Sequence, residues 1–266
     1  MVNCIATCGD SFGTGSGLPL DICYEKSFAG VVAEHYQLPQ KVYARGGCCN
    51  FTIYLQVKKV IQRYLEDKQF NLIETDKFKP FVLITMTHHE RLIIPLDDGL
   101  KFTNPDISQI DYKNYMPYQS DFGNRPMEFA STSTRLLTQT ITNLEVLLKE
   151  KAGSAIREFN DLEKNKLNTL GLYYTDIFDT AIKKEYDDAL IITIHSMLKF
   201  HNIPHLILTY APSEIINREN RFDIHWGEYT LRYPDDGGSG HCNEEGNRLV
   251  GLEIIKHIDT YFQIQT

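Results

Sequence analysis

No stretch of this 266-residue chain approaches the ~20 consecutive apolar residues that a bilayer-spanning helix needs. Its first ten residues hold neither a basic segment nor a long apolar one, so no signal peptide is visible and a cell interior is expected. An excess of positive charge is also lacking: 27 Lys and Arg against 35 Asp and Glu give a net charge of −8. A general nucleic-acid binder needs clustered cations, so that class is disfavoured, as is binding to anionic membrane surfaces. The six cysteines (Cys4, Cys8, Cys23, Cys48, Cys49 and Cys242) contain no C-x-x-C pair. That spacing gives no support to a zinc site or a redox dithiol, and the cysteines read as reduced thiols. An H-E-x-x-H helix is absent as well, and no metal or cofactor is expected.

What is present is enough apolar material, 42% of the residues, for a large core. The N-terminal third alternates short strands with amphipathic helices. "VNCIATC" (2–8) has strand length and ends at Gly9. Between Ile22 and Tyr36, apolar residues at 24, 28, 31, 32 and 36 predict one helix. "KVYAR" predicts a second strand closed by Gly46 and Gly47. A helix then begins near Asn50, a suitable N-cap, with Tyr54, Val57, Ile61 and Tyr64 on one face. "FVLITM" (81–86) is a strand apolar on both faces. This β-α-β-α-β order implies a parallel sheet with right-handed crossovers.

The middle reads differently. Residues 95–130 are rich in Asp, Asn, Pro and Tyr with little periodicity, and 134–149 predict a helix through Leu137, Ile141, Leu144 and Leu148. A charged stretch follows to Gly171, then a helix over 176–201 and a fourth core strand, "HLILTYAP" (205–212). A last helix over 244–262 presents Leu252, Ile255, Ile258 and Phe262 inward. The expected architecture is a single domain over 1–266. It is a three-layer α/β/α sandwich with a central parallel sheet and a large insertion after the third strand. Residues 95–175 form that mixed loop and helical insertion, or lid.

In open parallel sheets ligands bind beyond the carboxyl ends of the strands. The first strand exits into Gly9-Asp10-Ser11-Phe12-Gly13, and the second into Gly46-Gly47-Cys48-Cys49-Asn50. The third exits into Thr85-Met86-Thr87-His88-His89-Glu90-Arg91, and "DDGGSGHCNEEGN" delivers His241 just before the last helix. Ser11 reads either as a nucleophile or as a small polar residue in a glycine turn. His241 reads either as its base or as a polar residue before a helix that Asn243 caps. The glycines at 13, 15 and 17 raise a nucleotide-binding alternative. Leu18 and Pro19, however, occupy the place where a G-x-G-x-x-G turn would enter its helix. Asp10, His89 and Arg91 are candidates to line a substrate site.

Gly-Asp-Ser after the first strand, a glycine at the second exit and "HCNEEGNRLVG" at the last helix together resemble the SGNH (GDSL-type) hydrolases. The middle of the chain does not contribute to the resemblance. It implies a flavodoxin-like fold and a serine esterase in which Ser11 attacks an ester and His241 takes its proton. The oxyanion would be held by the N–H groups of Ser11 and of Gly46 or Gly47. The chain departs from the family at two places. No Gly-x-Asn-Asp follows the third strand, leaving Thr87, then His88, as the third donor. Gly238 stands where the family often has its aspartate, leaving Asp236, Asp235 or a backbone carbonyl to orient the imidazole. The expected substrate is a carbohydrate O-acetyl group or a small acyl ester, with the insertion shaping its site. The alternative is a non-catalytic SGNH-fold structural or surface-binding protein, including a virus-particle component.

Overall fold

The structure, a computed structural model, describes residues 1–19, 21–45, 48–69, 77–87, 92–96, 135–139, 179–210, 214–238 and 240–264. The chain divides into two compact units, Met1–Thr87 with Asp188–Thr266, and His88–Asp187.

The first unit is built on a five-stranded sheet of β1 (Cys4–Cys8), β2 (Gln40–Val42), β3 (Pro80–Thr85), β6 (His205–Thr209) and β7 (Arg221–Asp223). The spatial order is β2-β1-β3-β6-β7 and every pairing is parallel. Counted among themselves, these strands run 2-1-3-4-5, the flavodoxin-like order of a doubly wound sheet. All residues of β1, β3 and β6 are buried, which is why each reads as an unbroken apolar run rather than an alternating one.

Helices cover both faces. On one, Ile5, Phe81, Leu83, Leu206 and Leu208 join a core with Phe28 and Val32 of α2 (Phe28–His35) and Val250, Ile254 and Ile258 of α6 (Glu244–Tyr261). Side-chain alternation turns Ala6, Val82, Ile84 and Ile207 to the other face. There α4 (Thr180–Phe200) approaches β6: His195 Nδ1 lies 2.9 Å from His205 Nε2. The buried Ile53, Val57, Val60 and Ile61 of α3 (Asn50–Gln69) belong to no part of the first core, and α3 packs against β1. The result is the expected three-layer α/β/α architecture.

In several places the structure differs from the periodicity of the sequence. The helix expected over Ile22–Tyr36 is two, α1 (Cys23–Lys26) and α2, because Ser27 is extended and its hydroxyl accepts the Gly30 N–H at 3.1 Å. A serine that caps a new helix competes with continuing the old one. In α6 the buried stripe is Asn247, Val250, Gly251, Ile254, Ile255 and Ile258, whereas Leu252 is 44% exposed. The fifth strand, β7, and α5 (Trp226–Arg232) were not expected, since three polar-flanked residues carry no period. Asn50 is not the cap of α3: Cys49 O accepts the Ile53 N–H at 3.1 Å, and the Asn50 side chain is used elsewhere.

In the second unit, β4 (Leu92–Leu96) pairs antiparallel with β5 (Arg135–Gln139), Ile94 opposite Leu137. A strand therefore occupies the start of the segment 134–149 expected as a helix. Within 135–139, cross-strand pairing with β4 overrides a weak helical period. The remainder of that expected helix, the loop over 97–130 and the charged stretch to Gly171 lie outside the described residues.

The contact between α4 and β6 carries a pH dependence. His205 Nδ1 donates to Ile203 O at 2.9 Å, so its Nε2 accepts from His195 Nδ1. Burial holds the His205 imidazole down to about 4, from an ordinary 6.5. The unfolded chain thus binds a proton that the folded one refuses between those values. The His205 contribution is fully present well above pH 6.5 and is lost as pH drops toward 4, by an amount on the order of 3 kcal/mol. Urea unfolding across that range should show this extra loss in the wild type and not in His205→Leu; parallel curves for the two proteins would contradict it.

Candidate active site

The order 2-1-3-4-5 places the topological switch point between β1 and β3, and ligands in such sheets bind in the crevice beyond those carboxyl ends. Beyond β1, Gly9 has φ +152°, and a Cβ there would lie 2.9 Å from Thr85 Cβ. Only glycine fits, and it lets the chain turn sharply as it leaves the sheet. Asp10 Oδ1 then accepts the Phe12 N–H at 3.1 Å, closing a turn over Ser11. Asp10, expected at the substrate surface, is therefore buried in this turn. Ser11 is 7% exposed, and its carbonyl accepts from Thr14 Oγ1 at 2.8 Å and Ser16 N at 3.0 Å. Its backbone is thus tied into the loop, whereas its hydroxyl makes no hydrogen bond to a described residue.

Two buried side-chain amides from α3 hold the strand ends. Gln56 Oε1 accepts the Gly9 N–H at 2.7 Å while its Nε2 donates to Gly9 O at 3.1 Å. Asn50 treats Thr87 in the same way, Oδ1 accepting its N–H at 2.8 Å and Nδ2 donating to its carbonyl at 3.0 Å. Thr87 lies beyond β3 as expected, but its backbone N–H is consumed by Asn50. Its hydroxyl is the group left to donate to a ligand. Sequence reasoning missed both amides as organising groups. The available signal was a glutamine on the apolar face of α3, between Ile53 and Val57.

His241 comes from a hairpin-like turn before α6. Pro234 and Cys242 form an antiparallel bridge, and Asp235 N donates to His241 O at 3.1 Å. Asp235 Oδ1 accepts the His241 backbone N–H at 3.3 Å. Asp235 is 7% exposed, whereas Asp236 points out of the turn and is exposed. The same carboxylate and burial push the Cys242 thiol up to about 11, burial being the larger cause. Asn243 caps α6 by accepting the Gly246 N–H at 3.0 Å, and the buried Asn247 donates back to Cys242 O at 3.1 Å. The His241 turn is therefore fixed to the helix on one side and to Asp235 on the other.

This turn meets the Ser11 loop. The Phe12 ring sits between Trp226, stacked at 4.2 Å, and the His241 ring at 5.1 Å. Gly17 approaches so closely that a Cβ there would lie 2.8 Å from His241 Cβ and 3.1 Å from Asp235 Cβ. Ser11, Asp235 and His241 are thus brought to neighbouring loops beyond the carboxyl end of β1, with no hydrogen bond between Ser11 Oγ and the His241 ring. Catalytic hydrogen bonds are often long or misaligned before substrate binds. Gly46, Gly47, His88, His89 and Arg91 lie outside the described residues.

No family model and no curated protein matches the chain. Among solved structures it is similar to one from Desulfitobacterium hafniense, described provisionally as a lipolytic protein of the G-D-S-L family. The match covers 95% of this chain and 98% of that one, at 11% identity and a TM-score of 0.29. At those values the likeness assigns this chain neither a family nor an activity.

The fit around Gly9 gives a direct expectation. Gly9→Ala combines an unfavourable backbone conformation with overlap against Thr85, and should cost about 1–3 kcal/mol. Thermal unfolding would show this as a lowered midpoint; an unchanged midpoint would mean that the turn does not need glycine.

Proposed function

We propose that the chain is an SGNH-type serine esterase in which Ser11 is the nucleophile, His241 the general base and Asp235 the carboxylate that supports the histidine. The observation that carries this reading is the seating of the Asp235–His241 turn on the Gly-Asp-Ser loop, through Phe12 and Gly17, beside the switch point of the sheet. Asp235 is preferred to Asp236 because it is buried and already bonds the His241 main chain.

Ser11 Oγ attacks the ester carbonyl carbon as His241 takes its proton. The tetrahedral oxyanion receives hydrogen bonds from Ser11 N–H, from Gly46 or Gly47 N–H, and from the Thr87 hydroxyl in place of an asparagine amide. His241 returns the proton to the leaving alcohol, and water then releases the acyl group by the same route in reverse. The substrate class is a carbohydrate O-acetyl group or a small acyl ester.

A second reading has its own support. The threonine at the third exit, where the family has an asparagine, and the glycine at 238, where it often has its aspartate, suit an SGNH-fold protein that binds without hydrolysing, including a structural component of a virus particle.

Hydrolysis of p-nitrophenyl acetate separates the two. Under the enzyme reading, Ser11→Ala and His241→Gln each lower kcat by about 10³-fold or more, and a fluorophosphonate labels Ser11 of the wild type. Asp235→Asn lowers kcat by about 10²–10⁴-fold, with Asp236→Asn much the milder of the two. A wild-type protein that hydrolyses no faster than Ser11→Ala, and carries no adduct by mass spectrometry, is the binding protein instead.

A further inference from the structure

We infer that Gln56 is the positioning residue of the nucleophile turn: its buried amide fixes the Gly9 peptide from which Ser11 is projected and ties it to the exit of β2. This rests on Ser11 being the nucleophile, as proposed above. Gln56 is 1% exposed and sits among Ile53, Val57 and Val60 on the face of α3 that packs into the sheet. An amide on such a face is costly unless its hydrogen bonds are made. Here Oε1 takes the Gly9 N–H, and Nε2 gives its hydrogens to Gly9 O and to Cys48 Sγ, the latter at 3.4 Å. Gly9 O also accepts from Arg45 N at 3.0 Å. The end of β1 is therefore held from two directions, by the exit of β2 and by α3.

The consequence for Ser11 follows from chain geometry. Ser11 lies two residues beyond the clamped peptide and inside the turn that Asp10 closes onto Phe12. Thr85 Cβ lies only 2.9 Å from where a Cβ of residue 9 would stand, so Gly9 has little room to move toward Thr85. A shift of the Gly9 peptide is thus transmitted to Ser11 instead of being absorbed before it. Misplacing a reacting group by 1 Å costs about 10²-fold in rate. Binding of a substrate depends on other walls and is not expected to change in step. Glutamate cannot replace the amide when ionised, because it accepts from Gly9 N–H but has no hydrogen for Gly9 O or Cys48. When protonated it regains one donor, and burial raises its pKa.

The test uses the full chain, with a fluorophosphonate as the probe of Ser11 and p-nitrophenyl acetate as substrate. Gln56→Leu keeps the packing and removes the clamp; it should slow both Ser11 phosphonylation and kcat by about 10²-fold while KM moves little. Gln56→Glu should show a labelling rate, relative to wild type at the same pH, that falls as pH rises through the pKa of the new carboxyl. A folded Gln56→Leu protein that labels at the wild-type rate overturns the inference and leaves Ser11 as the nucleophile. Should Gln56→Leu not fold, a pH-independent ratio for Gln56→Glu overturns it. Wild-type protein that forms no Ser11 adduct overturns the esterase reading, and this one with it.

Discussion

Two carboxamides on one helix take over where the β-ladder stops. The pairing of β1 with β3 ends at Cys8 opposite Ile84, and the chain beyond is still buried at Gly9 and Thr87. Backbone N–H and C=O groups in that position must find partners, and leaving one unmet costs about 1–3 kcal/mol. Gln56 and Asn50 meet one N–H and one C=O each, six positions apart on α3, or roughly 9 Å along its axis. The register of α3 against the sheet therefore sets the shape of both strand exits. The turn carrying Ser11 and the start of the segment after Thr87 are as well placed as that helix is.

Much of the frame was legible because burial on both faces leaves a plain trace. β1, β3 and β6 are short unbroken apolar runs, and α3, α4 and α6 carry long periods. β7 has three residues, Arg221, Phe222 and Asp223, and its membership in the sheet rests on pairing with Ile207–Thr209, which local sequence does not encode. On α6, Ile255 and Ile258 face inward as expected; Leu252 does not, although it looks inward by composition, while Asn247 and Gly251 do, although they do not look so.

The site divides in the same way. Ser11 and His241 stand out only as a pair, since a serine in a glycine turn has common bland uses and it is the two segments together that carry the resemblance. The partners of Gln56 and Asn50 are backbone groups 47 and 37 residues away, so no motif marks them. Asp235 and Asp236 are neighbours of the same type, and only the hairpin decides which carboxylate is turned in. At Thr87 the structure sharpens what composition left open: with its peptide held by Asn50, a hydroxyl on a short, β-branched stem is its remaining donor. A ligand oxygen using it must come close to the end of β3.

The six cysteines have a use apart from any chemistry of their own. All six are buried thiols outside any disulfide, and they are spread over β1, α1, the exit of β2 and the turn before α6. Burial also raises the thiols of Cys8, Cys23 and Cys242, so their reactive thiolate is scarce while the fold is closed. Alkylation at each position then waits on local opening, and its rate reads the free energy of that opening. The molecule carries its own set of probes for finding out whether the strand exits breathe separately from the sheet that bears them.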